Sequence, residues 1–402
     1  MHPSRDIIGT KGGSLRGRRI ALCVTGSVAA IRSPEIAREL MRLGAEVRAC
    51  MSDGARTLIT PELMHWATAN EVVTSLTGRI EHVELAEWAD LVLVAPATAN
   101  TISKIACAVD DTPVTSVVSV AMGLRKPVMV VPAMHASMYD HPILRENLER
   151  LRSAGVRVLE PVVEEGKAKL PDIGSIVEAV VRALGPRDME GMKVVVTAGP
   201  TEEPIDSVRV ITNRSSGKMG TELARAAAER GAEVVLVYGP GTEAPPPGVR
   251  TIRVRTTSEM REAVMENAPG ARLILGAAAP QDFTVRDPRE GKIRRTESVT
   301  LDLAQAPRVM DDLRKVAPDA YIVAFKAEYG AADHELEDAC REKLREGDYD
   351  MVVGNDLSRD GFGSQTSRVV IVTRRSLASA SGTKREVAGV ILDTALGEIR
   401  GS

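Results

Sequence analysis

Short runs of β-branched and aliphatic residues alternate with amphipathic stretches twice over along this chain, and that alternation leaves few folds open. Residues 19–24, 46–51, 91–94 and 128–131 read as strands, with a helix over 34–43 between the first two. Strands that are apolar on every residue are covered on both faces, so the pattern predicts a parallel sheet between two layers of helices. It stops at Leu184-Gly-Pro-Arg-Asp-Met-Glu-Gly191, a run of turn formers. It restarts with strands expected over 193–197, 233–237 and 273–275 and a helix over 219–230. The fold class is therefore α/β, as two three-layer domains, and 402 residues exceed what one hydrophobic core usually serves. Residues 18–186 form the expected first domain and 191–402 the second. The polar, Gly-rich start, 1–17, has no apolar stretch and is expected to be a disordered arm rather than a signal peptide.

Composition excludes several partners. A net charge of −3 gives no electrostatic reason for nucleic acid or a membrane surface, and 2% aromatics leave little for base stacking. No apolar run approaches the roughly 20 residues of a membrane span. Cys23, Cys50, Cys107 and Cys340 form no CxxC pair, which argues against a disulfide framework or a zinc site and for a cytoplasmic protein. His82, His135 and His141 lack metal-ligand spacing, so no residue is assigned to a metal.

Ligands of open parallel sheets bind beyond the carboxyl ends of the strands. In the first half those ends read Val24-Thr-Gly-Ser-Val-Ala-Ala30, Pro96-Ala-Thr-Ala-Asn-Thr101 and Pro132-Ala-Met-His-Ala-Ser-Met138. Small residues and uncharged donors there suit a phosphate at a helix N-terminus and the carbonyls and ring nitrogens of a flavin. In the second half, Asn213-Arg-Ser-Ser-Gly-Lys-Met-Gly220 opens a helix with Ser215, Ser216, Gly217 and Lys218 placed to hold phosphate. Thr212 and Met219 break the Walker A spacing, so a P-loop ATPase is rejected. Neither half has GxGxxG with a downstream acidic residue, which removes a dinucleotide oxidoreductase.

Gly26-Ser-Val-Ala-Ala30, His82-Val-Glu-Leu-Ala-Glu-Trp-Ala-Asp90, Ala95-Pro-Ala-Thr-Ala-Asn100 and Pro132-Ala-Met134 resemble, in order and spacing, the flavin-containing cysteine decarboxylases over residues 18–182. The resemblance implies a flavodoxin-like or Rossmann-like domain holding FMN with Gly26, Ser27, Ser52, Pro96, Thr98 and Asn100. The flavin supplies the electron sink that decarboxylation of a cysteinyl carboxylate needs. It makes His82 the catalytic histidine and places Met134, His135 and Lys169 at the substrate. Two positions depart from the family: His135 replaces an asparagine, and Leu170 stands where a flap cysteine donates the last proton. Lys167, Lys169 or His135 is the candidate replacement.

Val195-Val-Thr-Ala-Gly-Pro-Thr201 and Ile205-Asp-Ser-Val-Arg-Val-Ile-Thr-Asn-Arg-Ser-Ser-Gly-Lys-Met-Gly220 resemble the phosphopantothenate–cysteine ligases, a likeness extending over 191–393. It implies a Rossmann-like ligase domain with Asn213 and Lys292 catalytic and Arg209 at the substrate. It implies a nucleotide pocket built from Ser216, Gly217, Lys218, Gly276, Ala277, Ala278, Asp282, Lys292, Pro307, Arg308, Val309, Met310, Phe325 and Lys343. A second lysine, expected one turn after Lys343, falls at Gly347. Arg294 and Arg295 flank the Lys292 segment.

The chain as a whole thus resembles the bifunctional proteins of coenzyme A biosynthesis, in an archaeal-like variant. CTP with Mg²⁺ would activate phosphopantothenate as an acyl-cytidylate, cysteine would displace CMP, and the first half would decarboxylate the product to 4′-phosphopantetheine. The resemblance also implies a homo-oligomer, with trimeric decarboxylase domains and dimeric ligase domains, reaching a dodecamer. A rival of another class makes the first half a flavin-binding assembly module with only the ligase active. The absent flap cysteine favours it; His82 and the 95–100 loop oppose it.

Overall fold

The computed structural model describes residues 2–294, 299–359 and 363–401. Its backbone gathers into two units, Met1–Gly185 and Pro186–Ser402.

The strands of the first unit are β1 (Arg19–Val24), β2 (Glu46–Met51), β3 (Val72–Val73), β4 (Leu91–Ala97), β5 (Val128–Pro132), β6 (Met134–His135), β7 (Arg157–Val158), β8 (Val162–Glu164) and β9 (Lys167–Lys169). Six of them form a parallel sheet in the order β3-β2-β1-β4-β5-β7. Alternate residues of β1 enter opposite cores. Ile20, Leu22 and Val24 join one cluster with helices Ser33–Arg42 and Ile173–Leu184. Ala21 and Cys23 join the other with helices Ala99–Ala106 and Pro113–Gly123. Cys23 lies opposite Cys50 in the β1–β2 register, and both thiols are buried and free.

The expected disordered arm is corrected. Pro3–Ile7 is a 3₁₀ helix, and the N–H groups of Gly9, Lys11 and Leu15 donate to the carbonyls of Met41, Arg42 and Leu43 at 2.9–3.0 Å. Leu15 is fully buried in the first cluster and Ile7 packs against it, so two apolar anchors and three backbone bonds order a segment whose composition reads as disorder.

The second unit holds β10 (Lys193–Ala198), β11 (Glu202–Pro204), β12 (Val210–Thr212), β13 (Glu233–Tyr238), β14 (Arg250–Arg253), β15 (Leu273–Gly276), β16 (Phe283–Val285), β17 (Leu303–Gln305), β18 (Tyr321–Glu328), β19 (Met351–Asp356), β20 (Thr366–Thr373) and β21 (Leu377–Thr383). Its main sheet runs β14-β13-β10-β15-β18-β19-β20-β21. The pairs from β14 to β19 are parallel, whereas β19–β20 and β20–β21 are antiparallel. The all-parallel expectation fails at this edge because the links after β19 and β20, residues 357–365 and 374–376, are shorter than the dozen or more residues a parallel crossover needs. Helices Lys218–Glu229 and Lys384–Gly401 cover one face; Thr257–Asn267 and Asp333–Glu346 cover the other. Asp188 and Met189, in the stretch left outside both expected domains, belong to this unit: Met189 is fully buried and Asp188 pairs with Arg230 at 2.5 Å.

Candidate active sites

In both sheets the chain moves outward from a central strand and then restarts on that strand's other side. The crevice this leaves between β1 and β4, and again between β10 and β15, is the topological switch point where ligands of such sheets bind.

At the first switch point lies a cleft of about 470 Å³ whose lining includes Gly26, Ser27, Ser52, Thr98, Asn100 and Met134. Thr25 fastens its two sides: its hydroxyl donates to the Pro96 carbonyl at 2.8 Å and accepts the Thr98 N–H at 3.0 Å. Ser27, Ser52 and Thr98 each cap the helical turn that follows, accepting the N–H groups of Ala29, Ala55 and Thr101 at 3.3–3.4 Å. The remaining first-turn N–H groups are left for a ligand anion. Gly26 must be glycine, because a Cβ there would come within 2.9 Å of the Gly54 carbonyl carbon. The charged residues of the lining are already matched, Asp53 by Arg56 and Lys104 by Asp111. The donor set and the backbone cradle fit a flavin phosphate and ring. Five of the six residues expected at the flavin line the cleft; Pro96 is buried within β4 and frames it.

Other expected residues stand apart. His82 lies in helix Glu81–Trp88, half-buried, its Nδ1 buried without a hydrogen-bond partner, and it is not among the cleft-lining residues. His135 pairs with Lys167 in the β6–β9 register, so the β8–β9 hairpin docks beside it. Its Nδ1 accepts the Ser137 N–H at 3.3 Å, which leaves the ring proton on Nε2. Lys169 is engaged by Glu165 at 2.7 Å, and this hydrogen bond holds its amine above the ordinary lysine range. Leu170 packs against the first core cluster, so the position of the expected flap cysteine faces apolar side chains.

At the second switch point the loops after β10 and β15 touch. The Ala279 N–H donates to Gly199 O at 2.9 Å, and Asn213 donates its amide to Ala279 O at 3.1 Å and Pro280 O at 3.0 Å. Gly217 begins helix Lys218–Glu229 at φ +83°, where a side chain would be strained and its Cβ would lie 2.9 Å from the Tyr238 ring. Ser215 and Ser216 accept the N–H groups of Gly217 and Lys218 at 3.3 Å, and Lys218 Nζ hydrogen-bonds Gln365.

On the far side of β15, Met310 lies against Gly276, where a Cβ would be 2.7 Å from its Sδ. The Ala306 N–H donates to Asp282 O at 2.9 Å. Lys343 donates to Phe325 O at 2.9 Å; burial pushes its amine below the ordinary range, and Lys326 and Arg308 add to the shift while Asp282 opposes it. The structure therefore brings Gly276 with Met310, and Asp282, Arg308, Phe325 and Lys343 with one another. Ala277 and Ala278 continue from β15 half-buried, Pro307 is exposed, and Val309 is buried in the core. Gly347 cannot carry the expected second lysine, because a Cβ there would land in the Tyr349 ring.

Lys292 is exposed, and its neighbour Ile293 is buried with its N–H donated to Asp206 at 3.1 Å. Arg209 spends its guanidinium on Asp206 at 2.7 Å and Ile293 O at 3.2 Å. Burial alone would raise the Asp206 carboxyl; the N–H groups of Val208, Arg209 and Ile293 and the Arg209 charge outweigh it and bring it down to about 2. Arg295 lies outside the described residues. Sequence reasoning missed Glu203, a buried carboxylate that accepts from Thr257 N at 2.8 Å and Thr284 Oγ1 at 2.9 Å, and Lys326 beside Lys343. The position of Lys326 near the carboxyl end of a central strand was the available signal.

Residues 8–185 match the family model described as flavoprotein, and residues 189–398 match that of the DNA/pantothenate metabolism flavoprotein C-terminal domain. Fold and site thus define a two-domain α/β enzyme of pantothenate metabolism whose first domain is a flavoprotein. The Coenzyme A biosynthesis bifunctional protein CoaBC of Thermococcus kodakarensis is 46% identical, covering 98% of this chain and 98% of its own. That of Escherichia coli is 34% identical, covering 88% of this chain and 90% of its own. A crystal structure of the C-terminal domain of a CoaBC protein aligns at 28% identity with a TM-score of 0.46, covering 54% of this chain and all of that one. The chain belongs to the family of coenzyme A biosynthesis bifunctional proteins, CoaBC. It is a bifunctional enzyme of coenzyme A biosynthesis, with ligase and decarboxylase activities. No helix among the described residues is long and apolar enough to cross a membrane.

Proposed function

We propose that the second unit joins cysteine to phosphopantothenate at the expense of CTP, and that the first unit, carrying FMN, decarboxylates the product to 4′-phosphopantetheine. The observation that supports this reading is that Gly26, Ser27, Ser52, Thr98 and Asn100 line one cleft at the first switch point, and that Asn213 bridges to the loop after β15 at the second.

A carboxylate resists an amine until one of its oxygens becomes a leaving group. In the second unit, Ser216, Gly217 and Lys218 at a helix N-terminus hold phosphate, and Lys292 offsets charge that develops on it. Asn213 holds the 276–281 loop and offers its Oδ1 to the intermediate. Phe325, Asp282 and Lys343 hold the nucleotide. Mg²⁺ enters with the phosphates of the nucleotide.

In the first unit, Gly26, Ser27, Ser52, Thr98 and Asn100 hold FMN, which when bound supplies the oxidising equivalent that makes loss of CO2 possible. His82 acts on the thiol, and Met134 and His135 border the substrate. His135 replaces the flap cysteine as the last acid: once protonated on Nδ1, where the Ser137 hydroxyl at 2.9 Å can accept, the ring gives up its Nε2 proton, whereas Lys169 is tied to Glu165. The enzyme works as a homo-oligomer in the cytoplasm; Val28 and Ile31, 73% and 61% exposed beside the cleft, offer apolar surface for a second copy.

Purified, flavin-loaded protein given phosphopantothenate, cysteine, CTP and Mg²⁺ should release pyrophosphate and form phosphopantetheine. Pyrophosphate without phosphopantetheine would reduce the first unit to a flavin-binding module.

A further inference from the structure

β18 pairs with β15 as far as Ala324 and then runs on to Glu328 while the chain after β15 turns away. Phe325–Glu328 therefore flank the crevice that the 277–282 loop also borders. Strand alternation puts Lys326 on the face of Ile322 and Ala324, the face covered by helix Asp333–Glu346 through Leu336 and Cys340. From that helix Lys343 reaches back to the Phe325 carbonyl at 2.9 Å. The next turn cannot supply a second cation, because the Tyr349 ring fills the space a side chain at Gly347 would need. Lys326, half-buried, is held by Glu328 at 3.0 Å.

We propose that Lys326 is a second phosphate-binding cation of the nucleotide pocket, poised on Glu328 and transferred to the polyphosphate of a bound nucleoside triphosphate. This rests on the reading of Lys343 and Phe325 as nucleotide contacts. Charge supports it. Lys326, Lys343 and Arg308 set three cations against the carboxylates of Asp282 and Glu328; burial lowers the Lys343 amine most, and the repulsion from Lys326 and Arg308 that adds to it is relieved when a polyanion enters. Lys326 serves here better than an exposed lysine would, because the wall of helix Asp333–Glu346 lowers the local dielectric on one side.

The test is titration of CTP, with excess Mg²⁺, into the flavin-loaded full chain, with cytidine as the phosphate-free control and the thermal melt of the second unit reporting its fold. Lys326→Met should weaken CTP about tenfold or more, the loss expected for one charge-assisted contact. Cytidine affinity should not move, and Lys326→Arg should recover most of the loss. Glu328→Gln frees the lysine and should tighten CTP. If Lys326→Met binds CTP like the parent while Lys343→Met does not, the assignment of Lys326 is overturned and the pocket stands. If neither lysine matters, the pocket itself is misplaced. Should Lys326→Met unfold, Glu328→Gln decides, and unchanged CTP affinity overturns the proposal.

Discussion

The carboxylate of Asp206 accepts the backbone N–H of Ile293 at 3.1 Å, which ties the loop after β11 to the segment that carries Lys292. The same carboxylate accepts the N–H groups of Val208 and Arg209, both at 2.7 Å. Lys292 is exposed, so its side chain is not positioned by packing; its backbone is positioned by this one buried anion.

Asp206→Asn replaces one accepting oxygen by a donor and sets an N–H against an N–H. Ligase kcat/KM should fall about tenfold or more, on the scale of a lost charge-assisted bond, while flavin content stays at the parent level. The pH dependence has a definite sign. The folded-state carboxyl, at about 2, lies below its unfolded value of about 3.9. Its stabilisation is therefore complete above that unfolded value and is lost as pH falls toward the folded one. Thermal melts of the parent and Asp206→Asn should differ by the same full gap from about pH 5 upward and converge as pH drops from about 4 toward 2. A gap in melting temperature that does not narrow in acid would contradict this account.

Gly26→Ala tests the flavin cradle. The added Cβ would press on the Gly54 backbone at 2.9 Å, so the loops after β1 and β2 must part. The sheet below them is unaffected, because Val24 and Met51 keep their register. The expected outcome is protein that melts close to the parent when both are stripped of flavin, yet retains less flavin after gel filtration. Full flavin retention would show that the cofactor does not sit between these loops.

Much of this architecture was legible in the sequence because its strands are buried on both faces. The expected strands at 19–24 and 46–51 coincide with β1 and β2, and most other expected strands fall one residue short at their carboxyl ends, such as 193–197 against Lys193–Ala198. That last residue is where the apolar run gives way to a loop. The antiparallel edge was not legible, since β21 (Leu377–Thr383) is mostly exposed and carries little apolar signal. The ordered N-terminus escaped because Leu15 and Ile7 are isolated anchors among polar residues, with no periodicity to mark them. Motif residues that are next to strand ends, such as Ser27, Ser52 and Thr98, fell into one cleft as their positions required. Relations between distant segments, including Asp206 with Ile293 and Gly347 with Tyr349, depend on loop geometry that no periodicity encodes.

For the decarboxylase half, the last proton separates two residues. Lys169 is held protonated by Glu165, above the ordinary lysine range, so it is a poor acid at neutral pH. Lys169→Ala should keep phosphopantetheine formation within about threefold of the parent, the effect of losing an exposed ion pair near a flap. His135→Gln keeps hydrogen bonding but removes the imidazole that can carry and pass on a proton, and turnover should fall about 10²-fold or more. Stopped assays of His135→Gln, read by mass spectrometry, should show a decarboxylated product two hydrogens short of phosphopantetheine. A large loss in Lys169→Ala with normal turnover in His135→Gln would reverse the assignment.

Asn213 poses the sharpest question in the ligase half, because both of its amide hydrogens are already spent. They go to Ala279 O at 3.1 Å and Pro280 O at 3.0 Å, so the residue clamps the loop that closes the switch point and has only Oδ1 left for a ligand. Asn213→Ala loses the clamp, at a cost of about 1–3 kcal/mol for two neutral hydrogen bonds. Asn213→Asp is worse than a loss, since it turns a carboxylate toward two carbonyl oxygens and makes the contact repulsive. The variants should therefore rank Asp below Ala in the melting temperature of the second unit and in apparent affinity for CTP. A residue that acted by touching the intermediate alone would behave differently: both variants would melt like the parent, keep KM for CTP and lose kcat. Measuring melting temperature, KM and kcat together on the two variants separates a clamp from a contact. The two bonds to the 279–280 carbonyls predict the clamp, with kcat falling as a consequence of the loop's displacement.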